Sequence, residues 1–194
     1  MSFQSITTLR LVLRRLVPVD AATVYRIHTD PVVARFQMWE PKSVAEVEAF
    51  IRRMDNLEPT TAKEWFQIGI VESASGELVG DFGVNGRADD PRQVELGITL
   101  ARSAQGRGLA TEALRALLGY LFTQTETHRV HCAVDPRNLS SLQLLAKVGL
   151  RQEGHLRESL WLKGEWVDDV VFAVLRSEWL AAHPPKTAQP APRG

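Results

Sequence analysis

LRLVLRRL, at Leu9–Leu16, alternates apolar and polar positions and predicts a β-strand. Asp20 can then cap a helix that runs to about Thr29, with Pro31 shortly beyond it. In SVAEVEAFIRRM the apolar residues Val44, Val47, Phe50, Ile51 and Met54 recur at helical spacing, and Ser43 with Glu46 forms a capping box. WFQIGIVES and ELVGDFGVN flank a short turn, and QVELGITLA follows the polar ADDPR loop, giving three further strands. A long helix places Ala110, Leu114, Leu117, Leu118 and Leu121 on one face. RVHCAVD reads as a strand, LSSLQLLAKVG as a helix ended by Gly149, and two strands close the pattern at about 151–161 and 166–175.

The order is strand, two helices, three strands, helix, strand, helix, two strands. Strands adjacent in sequence favour antiparallel pairing, while the strand–helix–strand over Val94–Val134 favours a parallel crossover. The predicted class is therefore α/β (α+β): a mixed, largely antiparallel sheet of about seven strands flanked by four helices. One domain over residues 1–180 accounts for it, followed by a Pro-rich tail at 181–194. The last twelve residues hold four of the ten prolines, a composition that cannot build a core.

Composition narrows the function by exclusion. Lys plus Arg equals Asp plus Glu at 23 each in 194 residues, so the basic surplus of a general nucleic-acid binder is missing. No run approaches the roughly 18 apolar residues of a membrane span, and the N-terminus lacks a signal-peptide pattern. No nucleic acid, no membrane and a cytoplasmic location are the expectations. The single cysteine, Cys132, rules out an internal disulfide and fits a small buried strand residue. His28 and His131 have no second ligand at metal spacing, so no metal is expected.

The chemistry concentrates in SAQGRGLATEALRALLGYLF. Glycines flank an arginine immediately before an apolar helix. A helix N-terminus presents unpaired N–H groups and a partial positive charge, and glycines let an anion approach that backbone. Gly106, Arg107 and Gly108 thus suit a phosphate or pyrophosphate, or else supply only a tight strand-to-helix turn. A P-loop needs Lys-Ser/Thr after the second glycine, where Leu109 and Ala110 stand. A dinucleotide fingerprint needs a third glycine in place of Thr111, so an NAD-binding oxidoreductase is disfavoured.

Gln105-Gly106-Arg107-Gly108-Leu109-Ala110 resembles the Gln/Arg-x-x-Gly-x-Gly/Ala signature of the GNAT acetyltransferase superfamily. The likeness extends from about Leu9 to Leu175, through DPRNLSSLQLLAKVGLRQEG and GEWVDDVVFAVL, and is strongest to the branch containing ribosomal-protein N-terminal acetyltransferases. It implies acetyl-CoA as co-substrate. Gln105, Gly106, Arg107, Gly108, Leu109, Ala110 and Thr111 would then cradle its diphosphate, Ile98, Thr99 and Leu100 would pair with its pantetheine arm, and Asn138 would contact it from the other side. Asn138 equally suits a simple helix cap.

An amine attacking a thioester must lose a proton. Glu95, sharing a strand face with Gly97 and Thr99, is the leading base, with a solvated strand residue as the alternative. Asp168 matches an acidic position of the branch near the amine, and Asp169 replaces a frequent histidine. Many members protonate the leaving thiolate with a tyrosine where this chain has Leu145. Ser141 is the substitute, unless it only satisfies its own helix backbone. Trp39, in the linker expected to shape the acceptor pocket, is a packing residue or lines the amine site; Trp65, Trp161 and Trp166 read as packing residues. The acceptor is expected to be a protein N-terminal α-amine, in an acidic cleft. A small-molecule amine acetyltransferase (aminoglycoside, polyamine or amino-acid-like substrate) and a non-catalytic acyl-CoA-binding module are the alternatives. A homodimer is possible.

Overall fold

The computed structural model describes residues 3–184. One eight-stranded sheet organises the chain: β1 Ser5–Thr7, β2 Leu11–Arg15, β3 Trp65–Glu72, β4 Leu78–Gly86, β5 Gln93–Leu100, β6 Arg129–Val134, β7 Arg151–Leu162 and β8 Glu165–Leu175. Its spatial order is β1-β2-β3-β4-β5-β6-β8-β7, antiparallel throughout except for the parallel pair β5 and β6. The helices are α1 Ala21–His28, α2 Pro31–Ala34, α3 Val44–Arg53, α4 Leu109–Gln124, α5 Leu139–Val148 and α6 Arg176–Ala182. The mixed, mostly antiparallel α/β class agrees with the sequence pattern; the counts rise from seven strands and four helices to eight and six.

The three additional elements are short. β1 is three residues of SIT, too brief to show alternation. α2 exists because the Asp30 carboxylate accepts from the Val32 and Val33 N–H groups, with Pro31 at the first helical position. Pro31 starts a helix there as well as following one. α6 is pinned by Trp179, buried 6.2 Å from the Phe122 ring, and by the Glu178 carboxylate accepting from Leu175 N. Of the tail expected at 181–194, Ala181 and Ala182 complete α6, and residues 185–194 lie outside the described residues. Among the described residues no helix is long and apolar enough to cross a membrane.

Asp20 does not cap α1: a 3-10 turn at Pro18–Asp20 precedes that helix, and the carboxylate binds Arg14 and Val17 N instead. Ser43 caps α3 as expected, while Glu46 reaches Lys42 N, one residue further back than a capping box requires. Gly149, with φ +99°, closes α5.

Register assigns the two faces of the sheet. Phe82, Val84, Val94 and Leu96 share one face and are buried, and α4 gives Leu114, Leu117, Leu118 and Leu121 to the same core cluster. On the other face lie Asp81, Gly83 and Asn85 of β4, opposite Thr99, Gly97 and Glu95 of β5. There α1 packs through His28, whose Nε2 sits 2.8 Å from Asp81 Oδ2, both residues buried.

A split sheet as candidate active site

The parallel pairing of β5 and β6 covers three rungs only: Gln93 with Arg129, Val94 with Val130, Glu95 with His131. Beyond Glu95, β5 stays on β4 up to Leu100, and β6 stays on β8 up to Val134. The two strands therefore diverge. Gly97 and Ala133, two residues past the last pair, are both exposed, and nothing lies within 4 Å of where a Gly97 Cβ would stand. The β5 edge from Leu96 to Leu100 faces this gap with no strand beside it, which leaves backbone groups in need of partners.

Following β5 leads to a 3-10 turn at Arg102–Ala104 and then to the mouth of α4. Gly106 and Gly108 have φ of +72° and +77°, a region that disfavours any side chain. No side chain caps α4, so its first N–H groups remain open to a ligand. Gln105 Nε2 donates to Leu100 O at 3.0 Å, tying the loop to the end of β5. Glu112 secures the mouth from behind: its carboxylate accepts from Thr8 Oγ1 at 2.6 Å, Arg10 N at 2.8 Å and Arg10 Nε at 2.7 Å. Arg10 Nη1 also donates to Arg107 O at 3.0 Å. The Arg107 guanidinium is held by Glu72. Leu109 is buried, whereas Ala110 and Thr111 are half-buried.

Glu95 sits at the apex of the divergence. It is half-buried, and its carboxylate accepts no hydrogen bond among the described residues. Burial, and then the Asp169 carboxylate, push its proton affinity above the usual glutamate range. Alternation along β8 puts Asp169 on the Glu95 face and Asp168 on the opposite one. Asp168 is bound by His155 Nε2 at 2.7 Å and Glu158 N at 2.8 Å, contacts that hold its carboxyl below the ordinary range. Asp169 is pushed up, by burial first and by Asp135 and Asp168 after it. The structure thus brings Asp169, and not Asp168, towards Glu95.

Asn138 caps α5 by accepting from Ser141 N at 3.2 Å. The Ser141 hydroxyl has no partner among the described residues, so backbone bonding does not consume it. Cys132 is buried, and its thiol is pushed up to about 12 by burial, the character of a packing residue. No group of three or more His, Cys, Asp or Glu able to hold a metal occurs among the described residues.

Sequence reasoning missed the polar row beside Glu95. Asn85 is its cross-strand partner on β4 and His131 on β6. Buried Gln67 lies one rung along, its Oε1 3.2 Å from where a Gly83 Cβ would stand. Gln67 Oε1, Asn85 Oδ1 and His131 Nδ1 are buried without a partner. Burial lowers the His131 pKa, so a neutral ring is favoured. The available signal was the alternation that puts Gln67, Asn85 and Glu95 on one face of three adjacent strands. Trp39 packs against Phe50 and His28, with ring centroids 5.1 and 4.8 Å away. Trp161 and Trp166 are more than half exposed, and as packing residues they meet each other edge to face with ring centroids 5.3 Å apart.

A sheet that divides between its parallel strands, with a glycine-lined helix mouth at the top of one arm, is a scaffold open to an extended ligand with an anionic group. The Acetyltransferase (GNAT) domain model matches residues 10–151. The chain belongs to the GNAT acetyltransferase family and is by that membership an N-acetyltransferase. An uncharacterized N-acetyltransferase, p20 of Bacillus licheniformis, is 29% identical over 91% of this chain and 98% of that protein. The ribosomal protein uS5-alanine N-acetyltransferase of Escherichia coli is 34% identical, over 43% of each chain. The solved spermidine N-acetyltransferase of Vibrio cholerae, in complex with CoA and spermine, superposes with a TM-score of 0.78 at 22% identity, over 89% of this chain and 99% of that one.

Proposed function

We propose that the chain moves an acetyl group from acetyl-CoA to a protein N-terminal α-amine by direct attack of the amine on the thioester. The observation that carries this reading is the uncapped mouth of α4 standing at the end of a β5 edge with no neighbouring strand. The residues present fit the coenzyme: Gly106 and Gly108 leave open the approach that a Cβ would obstruct, and the helix terminus favours a diphosphate. Bound there, acetyl-CoA supplies an activated acetyl thioester.

The chain's own groups do the rest. Backbone N–H groups from Gly106 to Thr111 hold the diphosphate, and Arg107 adds charge once Glu72 releases it. Ile98, Thr99 and Leu100 pair with an extended ligand as a further strand would. The raised pKa of Glu95 makes it a base suited to take the amine proton, directly or through a water held by Asn85 and His131. Ser141 donates its free hydroxyl to the departing sulfur. Asp169, beside Glu95, strengthens the base, while Asp168 braces the β7–β8 hairpin that limits the acceptor side.

The test is thiol release from acetyl-CoA across N-terminal peptides and small amines, with coenzyme affinity measured in parallel. Acceptor-dependent release that Glu95→Gln lowers at least about 100-fold, with coenzyme affinity kept, is the expected result. Tight coenzyme binding without release for any acceptor would instead mark a non-catalytic acyl-CoA-binding module.

A further inference from the structure

A cavity of about 620 Å³ lies between the end of α1 with the linker after it, the loop after β6 and the β7–β8 turn. His28, bonded to Asp81, the cross-strand partner of Thr99, lines the cavity on one side; Arg137, three residues beyond β6, lines it as well. The linker after α1 supplies Arg35, Glu40 and Lys42, and the β7–β8 turn supplies Lys163 and Glu165. Four cations therefore face two carboxylates. Arg137 is matched by Asp135 and Glu165, and Lys163 by Glu40. Arg35 and Lys42 are in no ion pair among the described residues; the Arg35 guanidinium rests 5.0 Å from the Phe36 ring centre. Among the described residues, the carboxylates that suit an amine acceptor gather instead at the apex, at Glu95 and Asp169. The cavity itself is basic.

We propose that the preferred acceptor is an N-terminal peptide carrying an acidic side chain, its α-amine at the Glu95 apex and its carboxylate against Arg35 and Lys42. This deepens the acetyltransferase reading and rests on it. The distance sets the position of the acid. Four residues of β5 separate Glu95 from Thr99, whose partner Asp81 holds the cavity-lining His28, roughly 13 Å at strand rise; an extended peptide with an acidic side chain spans that to the cavity wall with its third or fourth residue. Guanidinium and ammonium donors give a carboxylate charge-assisted bonds, and the same two charges repel a polyamine. A chain with this cavity is therefore a poor spermidine acetyltransferase, whatever its likeness to one in fold.

The experiment uses the full chain and a peptide series in a Gly/Ser background, with one Glu placed at positions two to six. Matched all-neutral and single-Lys peptides, spermidine and free glutamate complete the panel. Glu at position three or four is expected to raise kcat/KM about tenfold over the neutral peptide, about 1.4 kcal/mol, and Lys there to lower it. Arg35→Glu and Lys42→Glu, both at exposed positions that do not threaten folding, should each reverse the acid-to-lysine ratio. Turnover with no preference for acid, preference for spermidine, or free glutamate used as well as the acidic peptides overturns this inference and leaves the acetyltransferase reading standing. If nothing is acetylated, that reading fails, and calorimetric binding of the peptides to the CoA-loaded protein still decides the inference: equal affinity for acidic and neutral peptides refutes it.

Discussion

Gly106 and Gly76 form a matched pair on which the anion site can be tested. Both have φ of +72°, and neither has any atom within 4 Å of where a Cβ would stand. Gly76 turns the β3–β4 hairpin at Ser73–Glu77; Gly106 opens the mouth of α4. An alanine at either position meets the same backbone strain, about 1–2 kcal/mol for an L-residue held in the left-handed region. For a chain of 194 residues, that lowers the unfolding midpoint by about 2–4 °C per kcal/mol, or about 2–8 °C. The two variants should therefore be equally destabilised by calorimetry. Only Gly106→Ala puts a methyl group where a diphosphate must meet the backbone, so its CoA affinity should fall at least about tenfold, the effect of 1.4 kcal/mol. Gly76→Ala should bind CoA as the parent does. Unchanged affinity in Gly106→Ala, or equal loss in both variants, would refute the assignment of this mouth to the coenzyme.

Three further outcomes follow from other contacts. Asp169→Asn removes a like charge beside Glu95, so the Glu95 pKa should fall, and the acid limb of kcat/KM against pH should move to lower pH; an unmoved limb would separate Glu95 from proton abstraction. Asp20 is buried; burial raises its pKa, but the Arg14 and Val17 donors outweigh that and leave it lowered in the fold. Its contribution to stability is therefore complete above the ordinary Asp pKa and is lost as pH falls through the lowered one. Arg14→Ala should cost about 2 kcal/mol at neutral pH, less than a fully buried pair because Arg14 is 31% exposed, and should flatten that acid dependence in chemical denaturation. Leu118→Ala, at a site with 0% exposure, should cost about 2–5 kcal/mol in the same measurement without changing CoA affinity in the folded protein.

Much of this architecture was legible in the chain because it depends on local rules. The apolar stripe of α4, the capping Ser43 and Asn138, the closing Gly149 and the alternating strands each follow from spacing or from one side chain's reach. The uncapped, glycine-lined mouth of α4 was legible for the same reason: glycines and helix start are neighbours in sequence. What escaped depends on register. Whether Asp168 or Asp169 turns towards Glu95 is fixed by the β6–β8 pairing, which no spacing within GEWVDDVVFAVL reveals. The row of Gln67, Asn85, Glu95 and His131 needs four strands laid side by side in the right order. The basic cavity gathers residues from three separate segments, the first more than 90 positions from the other two, and in sequence each of its cations looks like an ordinary solvated charge.

The divergence of β5 from β6 is the common cause of these features. A sheet tolerates an unpaired internal edge only where something else satisfies its backbone. Gly97 and Ala133 hold no side chain long enough to bridge the gap, and the outer partners, β4 and β8, keep each arm extended while it separates. The pairing therefore leaves a slot with hydrogen-bonding walls in place of a collapsed core. On the proposed reading, an extended ligand entering from the α4 end would complete the ladder, and a second entering from the α1 end would meet its tip at Glu95. The carboxylate lies at the apex because that is the last rung on which both arms hold a side chain against the same floor. Its burial there, and then the Asp169 carboxylate, are what raise its proton affinity, as the proposed base requires.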